Sequence, residues 1–390
     1  MITRWVVCCL GVAQIVSWGT SYYLIGAFGP AIASDFGWSE SKVYGGFSLA
    51  LLVMGLSSGM SGRLIDRFGG RPIMTTGALI NAVGCVLLAS SHSETTYYTA
   101  WAVLGVAMRL TLYDAAFAAL ARIAGPKSRS AMSQITLFGG FASTIFWPLG
   151  SLIATQFGWR GAVFSYAAIA ASSLVCFIWL PASRYEREIA SPLEGSAPSA
   201  TDRHQVVGRA LAFVVISTVS NFLNAAMTSH MIAALVGMGL GASAAVAASS
   251  LRGVGQFGAR ACEVLSRGKF DAVLLTMAAS VMLPISFIVG SFAGHSPIMA
   301  SCFAFLFGAG NGVITITRGT LPLLLFDINS YGSLVGRLLA PSFILSAGAP
   351  LVMAWITSVW GVSSVLTACF FISILGLAAA VWLRTKVAEV

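Results

Sequence analysis

Arg252, Gln256 and Arg260 recur at i, i+4 and i+8, and Glu263 follows three residues later. That spacing sets four polar side chains along one face of a helix. The residues between them are Gly, Ala, Val, Phe and Cys, so the stripe lies in a segment otherwise suited to lipid or to a core. A guanidinium at that depth offers five donors in a planar fork that matches a carboxylate or a similar oxyanion. Two readings stand for Arg252: recognition of an anion, or a pair with an acid or backbone carbonyls that locks helices together.

Other polar residues interrupt apolar runs in the same manner. Arg109 lies near the middle of the run 98–123, with Asp114 five residues on. Five helical steps place them about 140° apart around a continuous helix, so they are expected to serve different neighbours. Asp114 is the candidate for a coupling proton, because burial can raise a carboxyl pKa into the working range. Asn221 and Asn224 share a face at i, i+3, and Asn311, Tyr23 and Arg337 are further candidates for a solute site. Each of these is equally readable as an interhelical hydrogen bond worth about 1 kcal/mol or less.

The composition dictates what must position these residues. The chain has 390 residues, 57% hydrophobic and 9% charged, with mean hydropathy +0.86. A soluble domain carries roughly a quarter charged residues, so this one has too little polar surface to face water. Continuous apolar runs select membrane helices over barrel strands, which would alternate. The fold class is all-α. Seven scattered cysteines form no disulfide framework, and Cys8 with Cys9 read as small buried hydrophobes. Four scattered histidines and the lack of a nucleophile or metal-ligand cluster argue against an enzyme, and no cofactor or metal is expected.

Twelve runs are long enough to span, at about 20 residues each. They are 5–28, 43–60, 73–90, 98–123, 131–155 and 162–180, then 211–236, 242–264, 272–290, 298–317, 331–359 and 362–383. The first is too long for a cleavable signal sequence. Of 22 Lys and Arg, sixteen fall in the termini and one set of loops, and two, Lys42 and Arg160, in the opposite set. The other four, Arg109, Arg252, Arg318 and Arg337, fall in or at the edge of spans. This places both termini in the cytoplasm. It also removes nucleic acid as the explanation of the net charge of +9. The polar stretch 183–208 reads as a linker between bundles 1–182 and 209–390.

Between spans two and three stands Gly62-Arg-Leu-Ile-Asp66-Arg67-Phe-Gly69-Gly70-Arg71-Pro72. This resembles the signature loop of the major facilitator superfamily, and the resemblance extends to twelve spans with a central linker. Gly62 permits close helix approach and Gly69 with Gly70 a tight turn. The resemblance implies that Asp66, Arg67 and Arg71 hold one conformation by charge pairing and release it as the halves rock. It also implies that spans one, four, seven and ten line a central cavity. Arg260, Glu263 and Arg267 occupy the related place between spans eight and nine in degenerate form. Arg252 together with Arg337 is similar to the oxalate–formate and monocarboxylate carriers. Leu112–Phe117 and Arg318–Pro322 resemble a bacterial branch that includes arsenite-efflux carriers. The glycine–proline signature of the antiporter branches is absent around Pro148.

The function these features imply is secondary active transport of a small anionic organic solute by alternating access. The alternative is efflux of a neutral toxic solute, a trivalent arsenical or a drug. The expected partners are the solute, coupled protons and the lipid bilayer. The expected setting is a monomer in a bacterial inner membrane.

Overall fold

A computed structural model of the chain describes residues 2–185, 200–266, 270–325 and 331–388. Every regular element among the described residues is helical. Eight helical runs are long and apolar enough to cross a membrane, and Glu40–Leu56 with Ser58–Phe68, bent by 50°, makes a ninth. One run, Glu94–Ile178, has 85 residues and would reach about 130 Å if straight, against a hydrocarbon layer of about 30 Å. It is divided at Gly125 and Gly158 into spans four, five and six, with a further break at Leu112 inside span four. Ala242–Leu265 completes the set as span eight, made more polar than the rest by its buried stripe. The described residues therefore form twelve membrane-crossing helices. Residues 186–199 of the expected linker lie outside the described residues, and the helix of span seven, Ala200–Gly237, opens inside the stretch assigned to it.

Several spans are broken where they meet the middle of the molecule. Span one runs as Arg4–Ser17, a π-helical turn Trp18–Tyr22 and Leu24–Phe36. Span four runs as Glu94–Thr111 and Tyr113–Ala124, with Leu112 extended between them at ψ −176°. A break frees carbonyls that lipid cannot satisfy, and here other spans satisfy them. Gln14 Nε2 donates to Thr111 O at 2.8 Å, and Ser61 Oγ to Arg109 O at 3.4 Å. Ala115 N turns to Leu112 O instead, at 3.1 Å.

Spans eight and ten pack backbone to backbone. A Cβ added at Gly255 would lie 2.1 Å from Phe305 O, and one at Gly308 2.0 Å from Arg252 O. Only glycine permits this approach. The contact fixes the helix carrying Arg252 and Arg260 against Pro297–Leu325, the helix of span ten. Large apolar side chains such as Leu79, Leu152, Ile288 and Phe371 remain exposed on the outside of the bundle, as lipid contact requires.

Candidate functional site

The broken and close-packed helices converge on an enclosed cavity of about 20 Å³, room for about one water. Its walls are Trp18, Tyr22 and Tyr23 from span one, Tyr113 and Asp114 from span four, and Asn221 and Asn224 from span seven. Span eight adds Gln256 and Arg260, span ten Asn311, Thr315 and Arg318, and span eleven Phe343. Spans one, four, seven and ten thus contribute as the family resemblance implies, joined by spans two, five, eight and eleven.

At one side of this cavity Asp114 is held by two arginines. Arg109 Nη1 lies 3.1 Å from Asp114 Oδ2, and Arg318 Nη2 lies 3.3 Å from Asp114 Oδ1. The expectation that Arg109 and Asp114 serve different neighbours is corrected here. It assumed a continuous helix, and the extended residue Leu112 resets the angle between them. Arg318 Nη1 also donates to Asn221 Oδ1, and Asn221 Nδ2 donates to Ser342 Oγ at 2.7 Å. Sequence reasoning left Arg318 out of the site. The signal was available, because Arg318 stands seven residues from Asn311, two turns along the same face.

Arg260 lines another side, and Arg252, two turns earlier on the same helix, reaches the wall through Asn224; neither is paired with an acid among the described residues. Arg252 is fully buried. It donates from Nη1 to Thr228 Oγ1 at 3.1 Å and from Nη2 to Asn224 Oδ1. It lies between the rings of Tyr23 and Phe307, 5.4 and 5.1 Å from their centroids. Asn224 Nδ2 in turn reaches Tyr22 Oη at 3.0 Å, and the Tyr23 carbonyl accepts from Trp147 Nε1 at 3.0 Å. Arg260 donates from Nε to Gly312 O at 3.1 Å, and from Nη1 to Tyr113 Oη at 3.1 Å and Thr136 O at 2.5 Å. Among the described residues neither arginine has a carboxylate within 4.0 Å.

Two buried guanidiniums thus hold Asp114, and two more, Arg252 and Arg260, are bonded to Asn224 and Tyr113 of the same wall. Buried charge without a partner is costly, and hydrogen-bonding capacity remains: Trp18 Nε1, Arg109 Nε, Arg252 Nε and Arg318 Nε are buried donors without partners. The centre is rich in donors and positive charge, which suits an acceptor-rich anion. Gln256 and Asn311 are buried on its wall. Arg337 is not brought there: it is exposed and bonds Ser333 O on its own helix at 3.3 Å. No cysteine lines the cavity.

The Gly62–Pro72 segment closes one end of the bundle by a different bond from the expected one. A Cβ on Gly62 would lie 2.1 Å from Gly332 O of span eleven. Asp66 Oδ2 accepts from Ser333 N at 2.8 Å, in the first turn of Tyr331–Ser346. Asp66 thus caps a helix of the opposite half and does not pair with Arg67 or Arg71. Arg67 is exposed, Arg71 Nε bonds Leu180 O at 2.7 Å, and Arg122 Nε takes the Asp66 carbonyl at 3.0 Å. Gly69 makes the expected turn with φ +89°. At the opposite end a largely apolar cavity of about 680 Å³ opens between the halves, bordered by Tyr44, Trp147, Ser229 and Ile232.

A family profile described as Major Facilitator Superfamily matches residues 10–337. Multidrug resistance protein MdtL of Klebsiella pneumoniae strain 342 is 29% identical over 162 residues, which are 41% of this chain and 40% of that protein. MdtL of Escherichia coli O139:H28 is 24% identical over 296 residues, 72% and 74% of the two chains. The chain thus spans about two fifths of the length of the first curated relatives it matches. The crystal structure of the human organic anion transporter MFSD10 superposes with a TM-score of 0.70 at 15% identity, covering 97% of this chain and 99% of that one. With its fold, its inter-span loop and the profile over most of its length in agreement, the chain belongs to the Major Facilitator Superfamily.

Proposed function

We propose that this chain is a secondary transporter for a small organic anion, bound at the centre between bundles 1–182 and 209–390. The observation that carries the reading is a cavity lined by two buried guanidiniums, Arg260 and Arg318, and one carboxylate, with two more buried guanidiniums, Arg109 and Arg252, bonded to its wall residues Asp114 and Asn224. Arg252 and Arg260 bring donors with no acid of their own. Arg109 and Arg318 hold Asp114 from the two halves, so an entering oxyanion competes with Asp114 for the same forks. The displaced carboxylate takes the coupling proton. The cavity holds about one water, so binding requires the halves to part, first on the side of the 680 Å³ cavity. The charge bias of the loops supports both termini in the cytoplasm, and the bacterial relatives favour a bacterial inner membrane.

Proteoliposomes loaded with a candidate carboxylate test this by counterflow of its labelled form. Arg252→Ala is expected to abolish exchange while the protein stays folded; unchanged exchange would overturn the anion reading.

The names of the curated relatives favour a second reading, efflux of a drug or other toxic solute. Its thiol-dependent form draws no support from the cavity, which no cysteine lines. Expression in a drug-sensitive bacterium separates the two: resistance that survives Arg252→Ala supports the drug.

A further inference from the structure

A groove of about 630 Å³ opens between spans five and eight at the end closed by Asp66, lined by Lys127, Arg129, Ser130, Ser133, Gln134 and Glu263. Glu263 stands out there. It is 6% exposed, its Oε2 has no hydrogen-bond partner, and no described Lys or Arg lies within 4.0 Å of its carboxylate. Ser133 Oγ, across the groove, is likewise buried without a partner. Asp66, at the related place in span two, is by contrast engaged by a backbone amide.

One turn before Glu263 on the same helix, Arg260 reaches across to the first half. Its Nη1 bonds Thr136 O of span five and Tyr113 Oη of span four, while Nε stays on Gly312 O of its own half. Arg260 is therefore a staple between the halves. Side chains three residues apart on a helix can pair, so an ionised Glu263 competes with Thr136 and Tyr113 for the guanidinium. A protonated Glu263 does not.

We propose that Glu263 is a proton-binding site filled from this groove, and that its charge decides whether Arg260 staples spans four and five to span eight. The charged side chains facing it are Lys127 and Arg129 from across the groove and Arg260 on its own helix. Asp271, nearby in sequence, is occupied in capping Val273 N. Arg267 and Lys269 lie outside the described residues. The inference needs the membrane fold but not the anion, and it is distinct from the exchange at Asp114.

Hydrogen exchange of residues 129–140, measured on the full chain in lipid nanodiscs and corrected for intrinsic pH dependence, tests it. In the unmodified protein, opening of this segment should rise about tenfold with pH, the worth of one hydrogen bond to a charged group. Glu263→Gln should hold the slow rate at every pH, and Glu263→Asp should keep the pH response. Arg260→Gln should exchange fast whichever residue stands at 263. If that variant does not fold, the Gln and Asp comparison decides alone. Retention of the full pH response by Glu263→Gln would overturn the proposal. So would a response produced by sodium at fixed pH, which would make the site one for a metal cation.

Discussion

Asp114 is held by one arginine from each half of the chain, and this pairing makes the sharpest energetic prediction at the level of single residues. Removing one partner of a buried ion pair costs about 3–5 kcal/mol, because the remaining charge is left uncompensated. Asp114→Asn leaves two guanidiniums so exposed to the low-dielectric interior. It should lower the melting temperature of the purified protein more than Arg318→Leu does. The double variant should recover about 1–3 kcal/mol relative to the sum of the single effects; strict additivity would show that the pair is not coupled. Arg252 and Asn224 were legible as site candidates because a charge in an apolar run and an i, i+3 pair both stand out. Arg318 carried the same kind of signal. The Arg109–Asp114 bond was not legible, because it depends on a backbone break that neither Pro nor Gly marks in Leu112-Tyr113.

That break is decided by residues of other helices. Gln14 and Ser61 take the carbonyls it frees, and only the packed fold brings them there. Gln14→Leu leaves Thr111 O buried without a donor, a loss of about 1–3 kcal/mol. Gln14→Glu, which cannot donate when ionised, should destabilise as much; a silent Gln14→Leu would show that the break is satisfied in another way. Span two makes a parallel case. Asp66→Ala removes the cap on span eleven, a loss of about 1 kcal/mol. It should raise hydrogen exchange in residues 331–336 without changing exchange in residues 129–140. Gly62→Val should do the same by placing side-chain atoms where Gly332 O now sits. The loop's closeness to its partner helix was readable from Gly62. That its acid binds backbone amides was not, because the charged neighbours Arg67 and Arg71 suggested ion pairs and the capped helix begins more than 260 residues later.

For the whole molecule, the apolar runs and the loop charges were enough to describe twelve helices, because hydrocarbon thickness fixes span length and the charge bias alternates with every crossing. A fluorescent protein fused at the C-terminus should therefore fluoresce, and a phosphatase fused near His92 should be active; the reverse pattern would invert the topology. The cavity between the bundles was less legible, since it is assembled from eight spans and its charge emerges only when the two arginines that line it are counted with the two bonded to its wall. Its positive excess is the account's central claim. Thermal-shift measurement of the purified protein and of Arg252→Ala, each against the same panel of carboxylates and neutral drugs, tests that claim most directly. The account predicts that at least one carboxylate stabilises the unmodified protein and leaves Arg252→Ala unchanged. Stabilisation of both proteins by neutral drugs, with no carboxylate acting on either, would contradict it.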